Sequence, residues 1–109
     1  MIGVTNSAAA MAFYCDRVGL KVVNQHEGFT FLDTGASTLV LSTTLASALG
    51  AAPGNIEVVF SVEHVRAAYE RLREQGVEFL SEPRLTTDVL WSANFKDPDG
   101  HVLSIFGPE

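Results

Sequence analysis

The 109-residue chain repeats itself, and a repeat on this scale limits the fold more than any composition figure does. Residues 4–7 lead into a stretch, 8–18, whose apolar members Met11, Ala12, Cys15 and Val18 recur at helical spacing. Asn6 or Ser7 is available as the N-cap, and Gly19 is placed to end the helix. Residues 20–23, 29–34 and 38–43 then read as strands, the last two joined by a Gly35-Ala36 turn. After an Ala- and Gly-rich loop over 45–54 the order restarts. Residues 56–62 are β-branched and strand-like; Val65, Ala68, Tyr69, Leu72 and Gln75 lie on a helical grid that Gly76 ends. Residues 77–80 echo 20–23. Residues 90–96 and 101–106 form a hairpin around Asp97-Pro98-Asp99-Gly100, with Pro and Gly where a type I turn takes them.

Each half therefore reads β-α-β-β-β, which predicts one α+β domain of two modules, 1–53 and 54–109. Neither half can bury both a helix and a sheet alone. The expected architecture sets two curved mixed sheets side by side, helices on the outer faces and a cavity enclosed by the inner ones.

Thirteen acidic against seven basic residues leave a net charge of −6. That field repels phosphate backbones and the basic residues are scattered, so nucleic acid is excluded as a partner, while cationic small molecules are attracted. No apolar run is long enough to span a bilayer and the N-terminus lacks a basic, signal-like start, so the cytosol is the expected compartment and no membrane partner is expected. The single Cys15 fits a reducing environment, and on an apolar helix it reads as a buried thiol.

Three segments, in order and at matching spacing, carry a resemblance that spans essentially the whole chain. Ala12-Phe13-Tyr14-Cys15-Asp16-Arg17-Val18-Gly19-Leu20, Val77-Glu78-Phe79-Leu80-Ser81-Glu82-Pro83 and Phe95-Lys96-Asp97-Pro98-Asp99-Gly100-His101-Val102-Leu103-Ser104-Ile105-Phe106 resemble the first helix, a later strand and the closing hairpin of the vicinal-oxygen-chelate superfamily, which includes glyoxalases, bleomycin-resistance proteins and extradiol dioxygenases. The resemblance implies the glyoxalase/bleomycin-resistance fold and a cavity in which most members hold a divalent metal on His and Glu side chains. Such a metal polarises two neighbouring substrate oxygens. Here the pattern departs. The first ligand falls before Met1, Val40 stands where a Glu is usual, Ser104 replaces the closing-strand Glu, and only Glu57 remains as a carboxylate opening the second module. One carboxylate and one hydroxyl do not make a catalytic metal site, so no metal cofactor is expected.

The candidate ligand-binding residues are Trp91, Glu57, Val40, Ser104, Phe29, Phe31, His26 and Asn94; no catalytic or metal-binding residue is assigned. A carboxylate among Ile, Val and Phe is costly unless paired, which makes Glu57 a candidate cavity acid or a solvated residue at the cavity mouth. Trp91 stacks on a flat or cationic ligand, or else packs in the core. Phe29 and Phe31 alternate and so share a face, as a ligand wall or as ordinary sheet packing. His26 is placed to reach the cavity from the second strand, whereas His64 and His101 suit exposed positions, and Asp97 and Asp99 belong to the turn.

The resulting expectation is a small-molecule-binding protein, resembling the bleomycin-resistance members, that sequesters a cationic, aromatic ligand without a catalytic metal. The alternative is a lyase, isomerase or dioxygenase-like enzyme on a small metabolite, either metal-independent or completing a site from His26, Glu57 or a partner chain. A ligandless interaction module is the third reading. A homodimer is expected under all three, since the superfamily's modules pair across chains and a short first strand is protected by docking on a partner.

Overall fold

The computed structural model describes residues 1–49 and 57–109, which fall into two compact units, Met1–Ala52 and Pro53–Glu109. In the first unit the strands are β1 (Ile2–Gly3), β2 (Lys21–His26), β3 (Phe29–Asp33) and β4 (Thr38–Ser42). They form one sheet in the order β1-β4-β3-β2, parallel only between β1 and β4. In the second, β5 (Glu57–Ser61), β6 (Arg84–Thr87), β7 (Leu90–Lys96) and β8 (Val102–Pro108) form β5-β8-β7-β6, parallel only between β5 and β8. The two sheets thus share one topology, as the repeat requires. Their pseudo-equivalence extends to single bonds: Val4 N–H donates to the Ser42 carbonyl at 3.1 Å, and Val62 N–H to that of Phe106 at 2.9 Å.

One face of each sheet is covered by its helix. In the first unit, α1 (Ser7–Met11) is capped by Asn6, whose Oδ1 accepts from Ala9 N–H at 2.9 Å. It then widens into a π-helical segment, Ala12–Arg17, closed by Val18 N–H donating to the Phe13 carbonyl five residues back. The expected continuous helix over 8–18 is therefore corrected in its winding. Helical spacing over so few residues cannot distinguish the two pitches; burial of both Phe13 and Tyr14, edge to face at 5.1 Å, accompanies the wider turn. In the second unit α3 (Val65–Glu74) buries Val65, Ala68, Tyr69 and Leu72 on one stripe and keeps Arg71 and Arg73 in its last turn, where they complement the helix dipole. Gly19 and Gly76 end the two helices at φ +93° and +95°, a region that glycine enters without strain. Beneath the helices lie Leu32, Leu39 and Leu41 in one unit and Ala93, Phe95, Leu103 and Ile105 in the other, all buried.

Two further expectations are corrected. Residues expected as the first part of an Ala- and Gly-rich loop form α2 (Thr43–Leu49), whose start is fixed by Ser42 Oγ accepting from Leu45 N–H at 2.9 Å; the rest of that loop and Ile56 lie outside the described residues. Residues 77–80 are not a strand. They make one bridge, Phe79 to Phe95, and the edge of β7 is occupied instead by Arg84–Thr87, folded back through a turn with Asp88 at φ +43°. The echo of 20–23 is thus local only: in the first unit β2 follows Gly19 almost directly, while in the second the edge strand forms after Pro83. The Asp97–Gly100 turn is as expected. Asp97 Oδ1 accepts from Asp99 and His101 N–H at 3.0 and 2.8 Å, which accounts for that carboxylate without a cation.

Gly107 marks the tightest approach in the second unit. A Cβ there would meet the backbone carbonyl oxygen of Val62, so only glycine fits where β8 passes the start of the helical connection.

Candidate functional site

The sheet faces opposite α1 and α3 differ in chemistry between the units. Strand alternation and register place Phe29, Phe31 and Val40 on the face of the first sheet opposite Leu32, Leu39 and Leu41, with Asn24 and His26 beside them on β2. The two phenylalanines and Val40 are half-buried, and His26 and Asn24 are exposed. His26 meets the edge of Phe31 at 6.1 Å between ring centroids, and its Nε2 lies 3.2 Å from Asn24 Nδ2. The contact joins the imidazole to the side-chain amide two residues before it on the same strand. His26 also borders a cavity of about 240 Å³ at the end of this sheet, which Val4, Ser7, Thr30 and Leu41 line from the α1 side.

On the second sheet the same alternation brings Glu57, Ser104, Asn94 and Arg84 to one face. Asn94 Nδ2 donates to Glu57 Oε1 at 2.8 Å, and Arg84 Nη2 donates to Asn94 Oδ1 at 2.9 Å. The amide orientation follows from its partners, because a carboxylate only accepts and a guanidinium only donates. Arg84 Nη1 also donates to Ser81 Oγ at 3.3 Å, and the Thr86 and Ser92 hydroxyls pair at 2.7 Å beside it. Glu57 and Arg84 are exposed, Asn94 is half-buried and Ser104 is buried. Asn94 thus stands between a carboxylate and a guanidinium.

The structure gathers Glu57, Asn94 and Ser104 on one face of the second sheet, and Phe29, Phe31, Val40 and His26 on one face of the first. Trp91 does not join them; of its two expected placements it takes the packing one. It alternates with Ser92 and so shares the face of Ala93 and Phe95, where the Arg66 guanidinium of α3 lies 5.4 Å from its ring centroid. A tryptophan suits either face of a strand, so its identity alone could not fix which way the strand points. Arg84, Thr86 and Ser92 were not among the sequence candidates. The alternation Arg84-Leu85-Thr86 carries them, but it becomes readable only once β6 is placed after Pro83 rather than before it.

The metal implied by the superfamily resemblance can be weighed against these groups. Val40 offers hydrocarbon, Ser104 a buried hydroxyl, and Glu57 is already committed on one oxygen to Asn94. Among the described residues no three His, Cys, Asp or Glu side chains converge to hold an ion. The residues present do not fit a hard divalent cation, which needs several converging oxygen or nitrogen donors. Elsewhere, burial and then the adjacent Asp16 carboxylate push the Cys15 thiol above its ordinary range, which keeps it protonated and weakly nucleophilic. No helix is long and apolar enough to cross a membrane among the described residues.

Comparison with known proteins agrees with this architecture. The chain is 28% identical over 108 residues, 92% of its own length and 88% of the other's, to the uncharacterized protein YetH of Bacillus subtilis. Among solved structures it is similar to TnmS3, an antibiotic binding protein from Streptomyces sp. CB03234, with a TM-score of 0.79 and 24% identity over 99% of this chain and 91% of that one. It is also similar to lactoylglutathione lyase from Agrobacterium tumefaciens, with a TM-score of 0.78 and 19% identity over 98% and 92% of the two chains. At these identities the solved structures speak for the fold. A sequence profile of one family matches residues 1–105, and the chain belongs to that family, the Glyoxalase/Bleomycin resistance protein/Dioxygenase superfamily.

Proposed function

We propose that the chain binds a small molecule on the sheet faces opposite α1 and α3 without a catalytic metal. The observation that carries this reading is the donor set: Val40, a buried Ser104 and a Glu57 already held by Asn94 occupy the positions where the resemblance calls for metal ligands. What those faces offer instead is recognition chemistry. The first sheet presents two phenylalanine rings and an imidazole, which suit a flat apolar or aromatic group. The second presents an exposed carboxylate, which suits a cation, within a chain of net charge −6. Taken by itself, the first face suits an aromatic ligand, and the second, taken by itself, suits a ligand that carries a positively charged group. The same fold is described for an antibiotic binding protein and for a lyase, and it is the donor set that favours the former kind of role here.

Because Trp91 lies against α3, its fluorescence is a poor reporter of these faces, and calorimetry is the suitable test. Metal-free bleomycin, a cationic probe with aromatic rings, is titrated into the protein in the presence of chelator at low and high salt. Saturable binding that weakens several-fold as salt rises supports the reading. Absence of binding, or binding that appears only when a divalent ion is supplied, overturns it and turns attention to catalysis.

A further inference from the structure

We infer that the helix-free face of the second sheet recognises a small zwitterion of the α-amino-acid type, its ammonium at Glu57 and its carboxylate at Arg84. The inference rests on the ligand-binding reading above and narrows the ligand. It starts from two opposite charges that do not meet. Among the described residues neither Glu57 nor Arg84 makes an ion pair, although a single side chain separates them. Asn94 keeps them apart: two hydrogen bonds and the width of one amide hold carboxylate and guanidinium roughly 7 Å from each other. Direct contact would have neutralised both groups and left the face with nothing to offer a charged ligand.

The arrangement is also oriented. Asn94 can bind each neighbour through only one end of its amide, so the negative group sits at the β5 edge of the sheet and the positive group at the β6 edge. Glu57 keeps an oxygen outside the Asn94 contact, and Arg84 uses two of its five N–H groups, on Asn94 and Ser81. An α-amino acid carries its ammonium and carboxylate about 3 Å apart. With one charge-assisted hydrogen bond of about 2.8 Å at each end, it bridges this gap above Asn94. Val59 and Phe106 lie on the same face by register, Val59 being 52% exposed, and give an apolar side chain a floor. Exposed charges attract weakly in water, but a ligand that covers them excludes solvent and strengthens both contacts together.

The test follows the backbone and side-chain amide resonances of the full chain, above all the Asn94 NH₂ pair. Three probes of one size are titrated: L-phenylalanine, phenethylamine with only the cation, and 3-phenylpropionate with only the anion. The expected result is saturable binding of phenylalanine about tenfold tighter than either single-charge analogue. Glu57→Gln then lowers phenylalanine to the level of phenylpropionate and Arg84→Gln to that of phenethylamine, with the remaining spectrum unchanged as evidence of an intact fold. Phenethylamine binding as tightly as phenylalanine, or phenylalanine binding that ignores Arg84→Gln, overturns the zwitterion. If phenylalanine fails to bind while bleomycin binds in the calorimeter, the zwitterion falls and the broader ligand-binding reading stands. If both are silent, both fall.

Discussion

The two units answer one topological problem with different chemistry on one face and the same chemistry on the other. Register makes their positions comparable: Leu32, Leu39 and Leu41 of the first sheet correspond to Phe95, Leu103 and Ile105 of the second. All six are buried beneath a helix, so the helix-covered faces are interchangeable in kind. On the opposite faces the correspondence breaks. Phe29, Phe31 and Val40 stand in the first unit where Ser92, Asn94 and Ser104 stand in the second. A core position accepts any apolar side chain of suitable volume, whereas a position left open to a ligand is set by what it must recognise. The divergence of the open faces is therefore the place to look for function, and the sameness of the covered faces is the reason the fold persists.

That contrast can be tested at its strong end first. Phe95→Ala and Leu32→Ala remove fully buried side chains at corresponding positions, and both should destabilise by about 3–4 kcal/mol in chemical denaturation, Phe95 by slightly more because it also loses the Phe79 ring at 5.0 Å. A cost below 1 kcal/mol at either position would show that the two covered faces are not equivalent cores. A smaller effect separates the helices. Arg66 of α3 lies over Trp91 and also donates to Glu109 at 2.8 Å, so Arg66→Ala should cost about 1 kcal/mol and shift the emission of the only tryptophan. Both partners of that ion pair are half exposed, so molar salt should remove part of the difference; an unshifted emission spectrum would sink the stacked arrangement.

The smallest effect concerns the first helix. Its Cys15 thiol is pushed up by burial and by Asp16, which disfavours the thiolate in the folded chain relative to the unfolded one. Any stability this contributes is fully present below the unfolded thiol pKa and is lost as pH rises from there towards the folded value. Alkylation by iodoacetamide at neutral pH should accordingly run several-fold slower in the native protein than in urea, and the native rate should level off at a higher pH. Cys15 is half-buried rather than fully buried as the sequence suggested, and equal rates at pH 7 would count against even that partial burial.

Much of the fold was legible from the chain. The spacing of Val65, Ala68, Tyr69 and Leu72 specified α3, Gly19 and Gly76 marked two helix ends, and the Asp97-Pro98-Asp99-Gly100 turn specified the β7–β8 hairpin, because each of these signals is local and set by backbone geometry. The edge strands were harder to read. Residues 77–80 are as strand-like in composition as Arg84–Thr87, but only one segment can take the edge of β7, and that competition is settled by hydrogen bonding across the sheet.

The candidate site divides along the same line. Residue types pointed to Glu57 and the Phe29–Phe31 pair, since a carboxylate among apolar strand residues, or alternating aromatics, is informative without coordinates, whereas Val40, Ser104 and Asn94 were reached through the superfamily resemblance. By the superfamily resemblance, Val40 and Ser104 stand where metal-binding carboxylates are usual, and those identities hold in any fold. Only the tertiary structure could decide that Trp91 turns toward α3, that Arg84 reaches Asn94, and that Asn94 holds Glu57. Which face of a strand a side chain takes depends on parity against neighbours distant in sequence, and a one-residue change of register would exchange every such assignment.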